Sequence, residues 1–278
     1  MKKIKSPLSF SKKEIRYSYC TCNFYAGCNN ACEYCCMKRI SNNLWKTSPR
    51  LLFRNENQAF ESFKKNIDQN INNLKKYGIF FSLTTDPLLE DTKELTYKAC
   101  KYCIEKDIPF KLLTKCTKWK NDDFIKNFPK DKKHLAHFGF SLTGKDKFEV
   151  GAPKNKERIK LLKELYNQGF KTWISAEPII DIKSTIKVLK KSINHTYMIR
   201  FELLTPAIYK SNGLSTEYKL EDLVNIYNWI AKYNNILIYL GEWFIRKSGI
   251  NREDLPDNFT KTGDLIIELK NEGIYQEV

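Results

Sequence analysis

The chain has 278 residues, enough for one large domain or two small ones, and 42% of them are hydrophobic, as in a globular protein with a sizeable core. Its first residues, MKKIKSPLSFSKKEI, are basic but lead into no apolar run, and no later segment is long and apolar enough to span a bilayer; this excludes a signal peptide or membrane partner and predicts a cytoplasmic protein. The formal charge of +16, carried by Lys far more than Arg, fits a polyanionic partner such as nucleic acid, and equally fits the Lys-, Asn- and Ile-rich composition of an AT-rich genome.

In chain order, a strand is predicted over Tyr19–Tyr25, followed by a cysteine-rich loop and a helix over Glu56–Tyr77. Strands at Ile79–Leu83, Phe110–Leu113, Leu135–Leu142, Thr172–Ala176, Tyr197–Leu204 and Ile236–Leu240 then alternate with helices. The helices fall at Thr92–Lys106, Asp122–Asn127, Lys154–Gln168, Lys183–Ser192 and Lys219–Lys232, with Pro153 and Gly169 punctuating the helix between them. Several strands are continuous apolar runs, as expected of strands covered on both faces. The alternation implies a parallel sheet with right-handed crossovers and a functional site at the C-terminal strand ends. Polar clusters recur at the ends of successive strands, which favours a barrel mouth over a flat sheet. The expected architecture is therefore α/β: a partial (β/α)6 TIM-like barrel over residues 1–204, with a short C-terminal extension, 205–278, packed on it.

The segment Gly27-Cys28-Asn29-Asn30-Ala31-Cys32-Glu33-Tyr34-Cys35-Cys36 spaces Cys28, Cys32 and Cys35 as CxxxCxxC. Gly27 and the Asn residues are turn formers, so the backbone can wrap a compact object. Thiolates are soft enough to hold an iron–sulfur cluster, and three of them suffice when another group ligates the fourth iron. A zinc site built from Cys32, Cys35 and two of Cys20, Cys22, Cys28 and Cys36 is the main alternative, giving a non-catalytic zinc- or nucleic-acid-binding protein. It lacks the second CxxC turn that zinc knuckles normally pair with the first. Disulfides are disfavoured in a reducing compartment.

With Tyr34 before its last cysteine, the loop is similar to the signature of the radical S-adenosylmethionine superfamily. That resemblance implies a [4Fe-4S] cluster on Cys28, Cys32 and Cys35 and S-adenosylmethionine on the open iron. It also implies an electron donor such as flavodoxin or ferredoxin, and a 5′-deoxyadenosyl radical that abstracts hydrogen from substrate. A closer resemblance, from about Asn23 to Asp181, is to spore photoproduct lyase and its relatives. It rests on Phe81-Ser82-Leu83-Thr84-Thr85-Asp86-Pro87 with Glu90, on Leu112-Leu113-Thr114-Lys115, and on Phe140-Ser141-Leu142-Thr143 with Gly151-Ala152-Pro153 and Arg158. The last piece is Trp173-Ile174-Ser175-Ala176-Glu177-Pro178-Ile179-Ile180.

On this resemblance Thr84 and Asp86 stand near the methionine amino group, Lys115 pairs with the methionine carboxylate, Ser141 bonds carboxylate or ribose, and Tyr34 flanks adenine. Glu177, unexpected at the end of an apolar strand, contacts ribose or substrate or else caps the turn. Leu83 stands where the lyases keep a donor cysteine, which puts dimer repair by their route in doubt. Cys116 is then the candidate thiol donor, or a small partly buried residue. Arg200 and Glu202 alternate on one strand and are expected to pair inside the barrel; Glu242 and Trp243 are weaker candidates. Cys20, Cys22, Cys100 and Cys103 read as core, and His134, His137 and His195 offer no metal triad. No leader-peptide-binding domain precedes the loop and no cysteine-rich tail follows the barrel. This lowers the case for a peptide substrate and leaves nucleic acid ahead of it.

Overall fold

The protein is seen here as a computed structural model that describes residues 6–10, 17–40, 44–206, 214, 218–260 and 266. Strand β1 (Leu8–Phe10) runs antiparallel to β2 (Cys20–Cys22), and a short ladder joins β3 (Tyr25–Ala26) to β4 (Arg50–Leu51). From β2 onward the main sheet is parallel and follows chain order through β5 (Ile79–Phe81), β6 (Phe110–Thr114), β7 (Ala136–Ser141), β8 (Lys171–Ile179), β9 (Met198–Leu203) and β10 (Leu237–Leu240). The helices are α1 (Cys36–Ile40), α2 (Glu56–Gln69), α3 (Ile71–Tyr77), α4 (Lys93–Glu105), α5 (Asp123–Lys126), α6 (Asn155–Asn167), α7 (Ile182–Leu189), α8 (Leu220–Ile230) and α9 (Glu242–Ser248). All seven expected strands are present, and β10 carries the parallel sheet past residue 204. No described helix is long and apolar enough to cross a membrane.

Two expected elements are divided, each by an asparagine. The helix expected over Glu56–Tyr77 begins at Asn55, whose Oδ1 accepts from Gln58 N at 2.8 Å, and buries Ala59, Phe63 and Ile67 at four-residue spacing. It breaks at Asn70, whose side-chain amide donates to the Asn66 carbonyl at 2.8 Å and whose own N–H bonds Ile67 O in a tighter turn. The first strand ends at Asn23, whose Oδ1 accepts from Ser82 Oγ, Leu83 N and the N and Oγ1 of Thr84. That side chain ties β2 to the end of β5.

Alternation along the strands sorts the sheet into two faces. The outer face packs with the helices into the main core. The inner face carries a separate cluster of Phe80, Trp173, Met198, Leu237 and Tyr239. Gly139 lies opposite Trp173 on this face, and a Cβ there would sit 2.2 Å from the indole ring, so only glycine leaves room for the ring that fills the barrel at this level. Below, at the start of the strands, Lys111, His137 and Lys171 lie side by side. His137 is fully buried at the end opposite the strand C-termini, where it packs.

Candidate active site

The cysteine loop is shaped by contacts from three directions. Gly27, at φ +99°, donates its N–H to the Thr84 carbonyl at 3.2 Å, and a Cβ there would meet Thr47 Oγ1 at 2.8 Å. Cys32 pairs its backbone with Glu149 in an isolated bridge, and its carbonyl accepts from Trp45 Nε1 at 2.9 Å. Gly151 donates to Asn30 O at 3.0 Å, with its Cα so near that a Cβ would lie 2.2 Å from Asn29 O. Beneath the loop the Tyr34 hydroxyl donates to Glu149 Oε1, and Arg158 Nη2 donates to Glu149 Oε2. Arg158 also donates to Ser141 O at 2.6 Å and Pro153 O at 2.8 Å, and both charged side chains are fully buried. A buried ion pair satisfied this way locks the segment after β7 against the cysteines.

A cavity of about 430 Å³ opens at the C-terminal ends of β5 to β9. Its wall contains Cys28, Cys32 and Cys35 together with Tyr34, Thr84, Asp86, Lys115, Ser141 and Glu177, so every residue assigned from sequence to cluster or cofactor meets there. Cys116 is not on that wall; it is buried in the main core. Leu83 is on the wall and 48% exposed. Cys20, Cys22, Cys100 and Cys103 are fully buried, and none of the nine cysteines is in a disulfide.

Asp86 accepts from Asn30 Nδ2 at 2.9 Å, Leu88 N at 3.1 Å, Thr114 Oγ1 at 2.7 Å and Lys115 N at 2.8 Å. Its carboxylate joins the cysteine loop to the ends of β5 and β6. Thr84 turns its hydroxyl to Tyr25 O at 2.6 Å and Asn23. Lys115 holds its ammonium 5.6 Å from the Tyr34 ring centre, in no salt bridge among the described residues. Burial opposes that charge, yet the neighbouring Cys32 and Glu149 raise its pKa overall. Asn30 Oδ1 and Thr85 Oγ1 are buried on the same wall with no hydrogen bond among the described residues.

This wall fits an iron–sulfur cluster with an amino-acid ligand. It offers three soft donors and, as judged among the described residues, an ammonium in no salt bridge and two oxygens without hydrogen bonds that can accept from an amino group. Burial first, and Asp86 second, pushes the Cys28 thiol up to about 12. Burial also raises Cys32, while the thiol contact with Cys36 and then burial raise Cys35. A bound metal removes these protons and reverses the penalty. Among the described residues no three Cys, His, Asp or Glu side chains gather tightly enough to hold a single ion.

Deeper in the barrel, Glu177 accepts from Tyr17 OH at 2.5 Å and Ser175 Oγ at 3.1 Å, and pairs with Arg200 Nη2 at 3.1 Å. The Arg200 guanidinium lies between the Tyr17 and Tyr239 rings, at 4.0 and 4.6 Å. Arg200 thus pairs with Glu177 and not with Glu202. Glu202 instead accepts from the Trp243 and Phe244 N–H groups, at 3.3 and 3.0 Å, where α9 begins. Sequence reasoning missed Tyr17, Asn23, Asn30, Trp45 and Glu149. Glu149 lies between two quoted motif pieces, a signal that could have found it; Tyr17 follows a basic stretch that carries none.

Strands in chain order around this mouth make a partial TIM-like barrel, the fold of solved proteins that bind S-adenosylmethionine. Among solved structures the chain is similar to a spore photoproduct lyase mutant with bound AdoMet and dinucleoside spore photoproduct (TM-score 0.56, 14% identity, 73% of this chain, 63% of that one). It is also similar to Streptococcus suis SuiB bound to S-adenosylmethionine (TM-score 0.55, 16% identity, 86% of this chain, 52% of that one). SuiB bound to its precursor peptide SuiA matches with TM-score 0.56 at 15% identity, over 90% of this chain and 54% of that one. The chain thus spans about half to two-thirds of the length of these structures. By sequence it is 29% identical over 211 residues to an uncharacterized protein of Methanocaldococcus jannaschii, covering 73% of this chain and 76% of that one. No family model matches.

Proposed function

We propose that the chain is a radical S-adenosylmethionine enzyme in which Cys28, Cys32 and Cys35 hold a [4Fe-4S] cluster and S-adenosylmethionine takes the open iron. When bound and reduced by an external donor of the flavodoxin or ferredoxin class, the pair supplies a 5′-deoxyadenosyl radical for hydrogen abstraction. One observation carries the reading: three loop cysteines and polar residues from the ends of successive parallel strands line a single cavity. Within it Lys115 takes the methionine carboxylate, and the orphan oxygens of Asn30 and Thr85 accept from the amino group. Asp86, its carboxylate already used by four protein donors, acts as a positioning residue. Ser141 and Tyr34 remain the handles for ribose and adenine. Glu177 and Arg200 face the substrate end.

The substrate is a macromolecule, with nucleic acid favoured by the +16 charge and by the dinucleoside held in the lyase neighbour. Leu83 at the mouth argues against the lyases' own thiol-donor route.

Anaerobic reconstitution tests the reading. Expected are about four irons and four sulfides per chain and release of 5′-deoxyadenosine on reduction with S-adenosylmethionine. The Cys32→Ala variant loses both. Stoichiometric tight zinc, or an intact cluster that yields no 5′-deoxyadenosine, overturns it.

A further inference from the structure

We infer that the surface around Trp45 is the docking site of an acidic one-electron donor protein, an inference that rests on the enzyme reading above. Trp45 touches the cysteine loop at two of its three cysteines: its backbone bridges Cys28 and its indole N–H holds the Cys32 carbonyl at 2.9 Å. The ring is half-buried, so an aromatic side chain connects solvent to the backbone of two proposed cluster ligands. Lys38 and Lys46 hold their ammonium groups 4.3 and 4.2 Å from its centre. They share one carboxylate, Glu33, at 3.6 and 3.0 Å, which leaves the group with an excess of positive charge. Further along the same segment, Arg50 is exposed, pairs its backbone with Ala26 just before the loop, and forms no salt bridge among the described residues.

Two further features mark this rim. Lys46 keeps a long cationic side chain at φ +57°, a backbone conformation in which glycine costs less. Against the Cys32 backbone runs the Lys147–Val150 stretch, which presents an exposed cation and an aliphatic side chain that is 73% exposed. A small apolar contact inside a charged rim suits a weak, transient electron-transfer encounter. Trp45, Lys38, Lys46 and Arg50 do not line the cavity, so a protein seated on them leaves the mouth free for substrate. The sign of the rim selects an acidic partner, and the position against the cysteines selects one that delivers electrons.

The test follows cluster reduction by loss of visible absorbance and by the EPR signal of the reduced cluster, without substrate turnover. The reconstituted chain, the Lys38→Glu/Lys46→Glu variant and the Arg50→Glu variant are each mixed with photoreduced flavodoxin and, separately, with dithionite. Expected is a slowing of about tenfold or more with flavodoxin at low salt, shrinking towards none near ~0.5 M salt, with dithionite unaffected. The Lys187→Glu/Lys190→Glu variant makes the same charge change as the double rim variant on exposed residues at and just past the end of α7, away from the strand C-termini, and is expected to leave the rate near that of the parent. Equal flavodoxin rates in parent and rim variants, or equal slowing by the α7 variant, overturn the docking site. A parent chain that holds no reducible cluster overturns the enzyme reading and the docking site with it.

Discussion

Asp86 and Arg158 illustrate how charged residues at this mouth act through neighbours. The Arg158–Glu149 pair is fully buried and bonded on every side, so removing one partner strands the other charge in the interior. Arg158→Met is expected to lower unfolding stability by about 3–5 kcal/mol, read from urea denaturation of the metal-free chain. His137 carries a pH dependence. Burial first, and the charges of Lys111 and Lys171 next, hold its pKa well below the usual value. The unfolded chain takes up this proton as pH falls through about 6.5 while the folded chain does not, so the contribution is present above that pH and lost below it. The parent is expected to lose about 1 kcal/mol more than His137→Gln between pH 7 and 5.5, measured by denaturation at both. At this scale the sequence named the wall of the cavity but not its supports. The cysteines, Lys115 and Ser141 stand at recognisable spacings from strand ends, whereas Asn23 and Asn30 act through side-chain bonds to residues more than fifty positions away, which no local pattern encodes.

At the scale of elements, the inner face of the barrel is set by one large residue and one absent side chain. Gly139→Ala drives a methyl group into the Trp173 ring and is expected to cost about 1–3 kcal/mol. In the Trp173→Leu background the same change should be close to neutral, and a thermal-denaturation double-mutant cycle measures the coupling. Strand positions were readable because apolar runs bounded by Gly, Pro and Asn punctuate the chain; Ile79–Phe81 and Ala136–Ser141 are buried throughout, as their composition implies. The break between α2 and α3 was not readable, because Asn70 fits a helical pattern on both sides and interrupts it only by turning its amide onto Asn66. Glu202 was misjudged for a related reason. Alternation put it on the same face as Arg200, but its partner is the start of α9, an element that the sequence pattern does not announce.

For the whole molecule, the ladder from β9 to β10 bears on where the chain can be cut. Leu237 to Leu240 are all buried and pair with Met198 to Phe201, so removing residues 205–278 exposes a row of ladder groups and the inner cluster together. A chain ending at Leu204 is expected to aggregate or lose its cooperative unfolding transition, checked by size-exclusion chromatography and circular dichroism. The outer edge of β10 is itself shielded: Ile238 exchanges bonds of 2.8 and 2.7 Å with Asn258 and Thr260. Among the described residues no ladder joins β10 to β1. In a sealed barrel the bore is fixed, because widening it breaks ladder bonds. Here, among the described residues, the two ends of the sheet are tied by side chains and not by rungs: the Arg200 guanidinium lies against Tyr17, just before β2, and against Tyr239 of β10, so any change of bore repacks those rings.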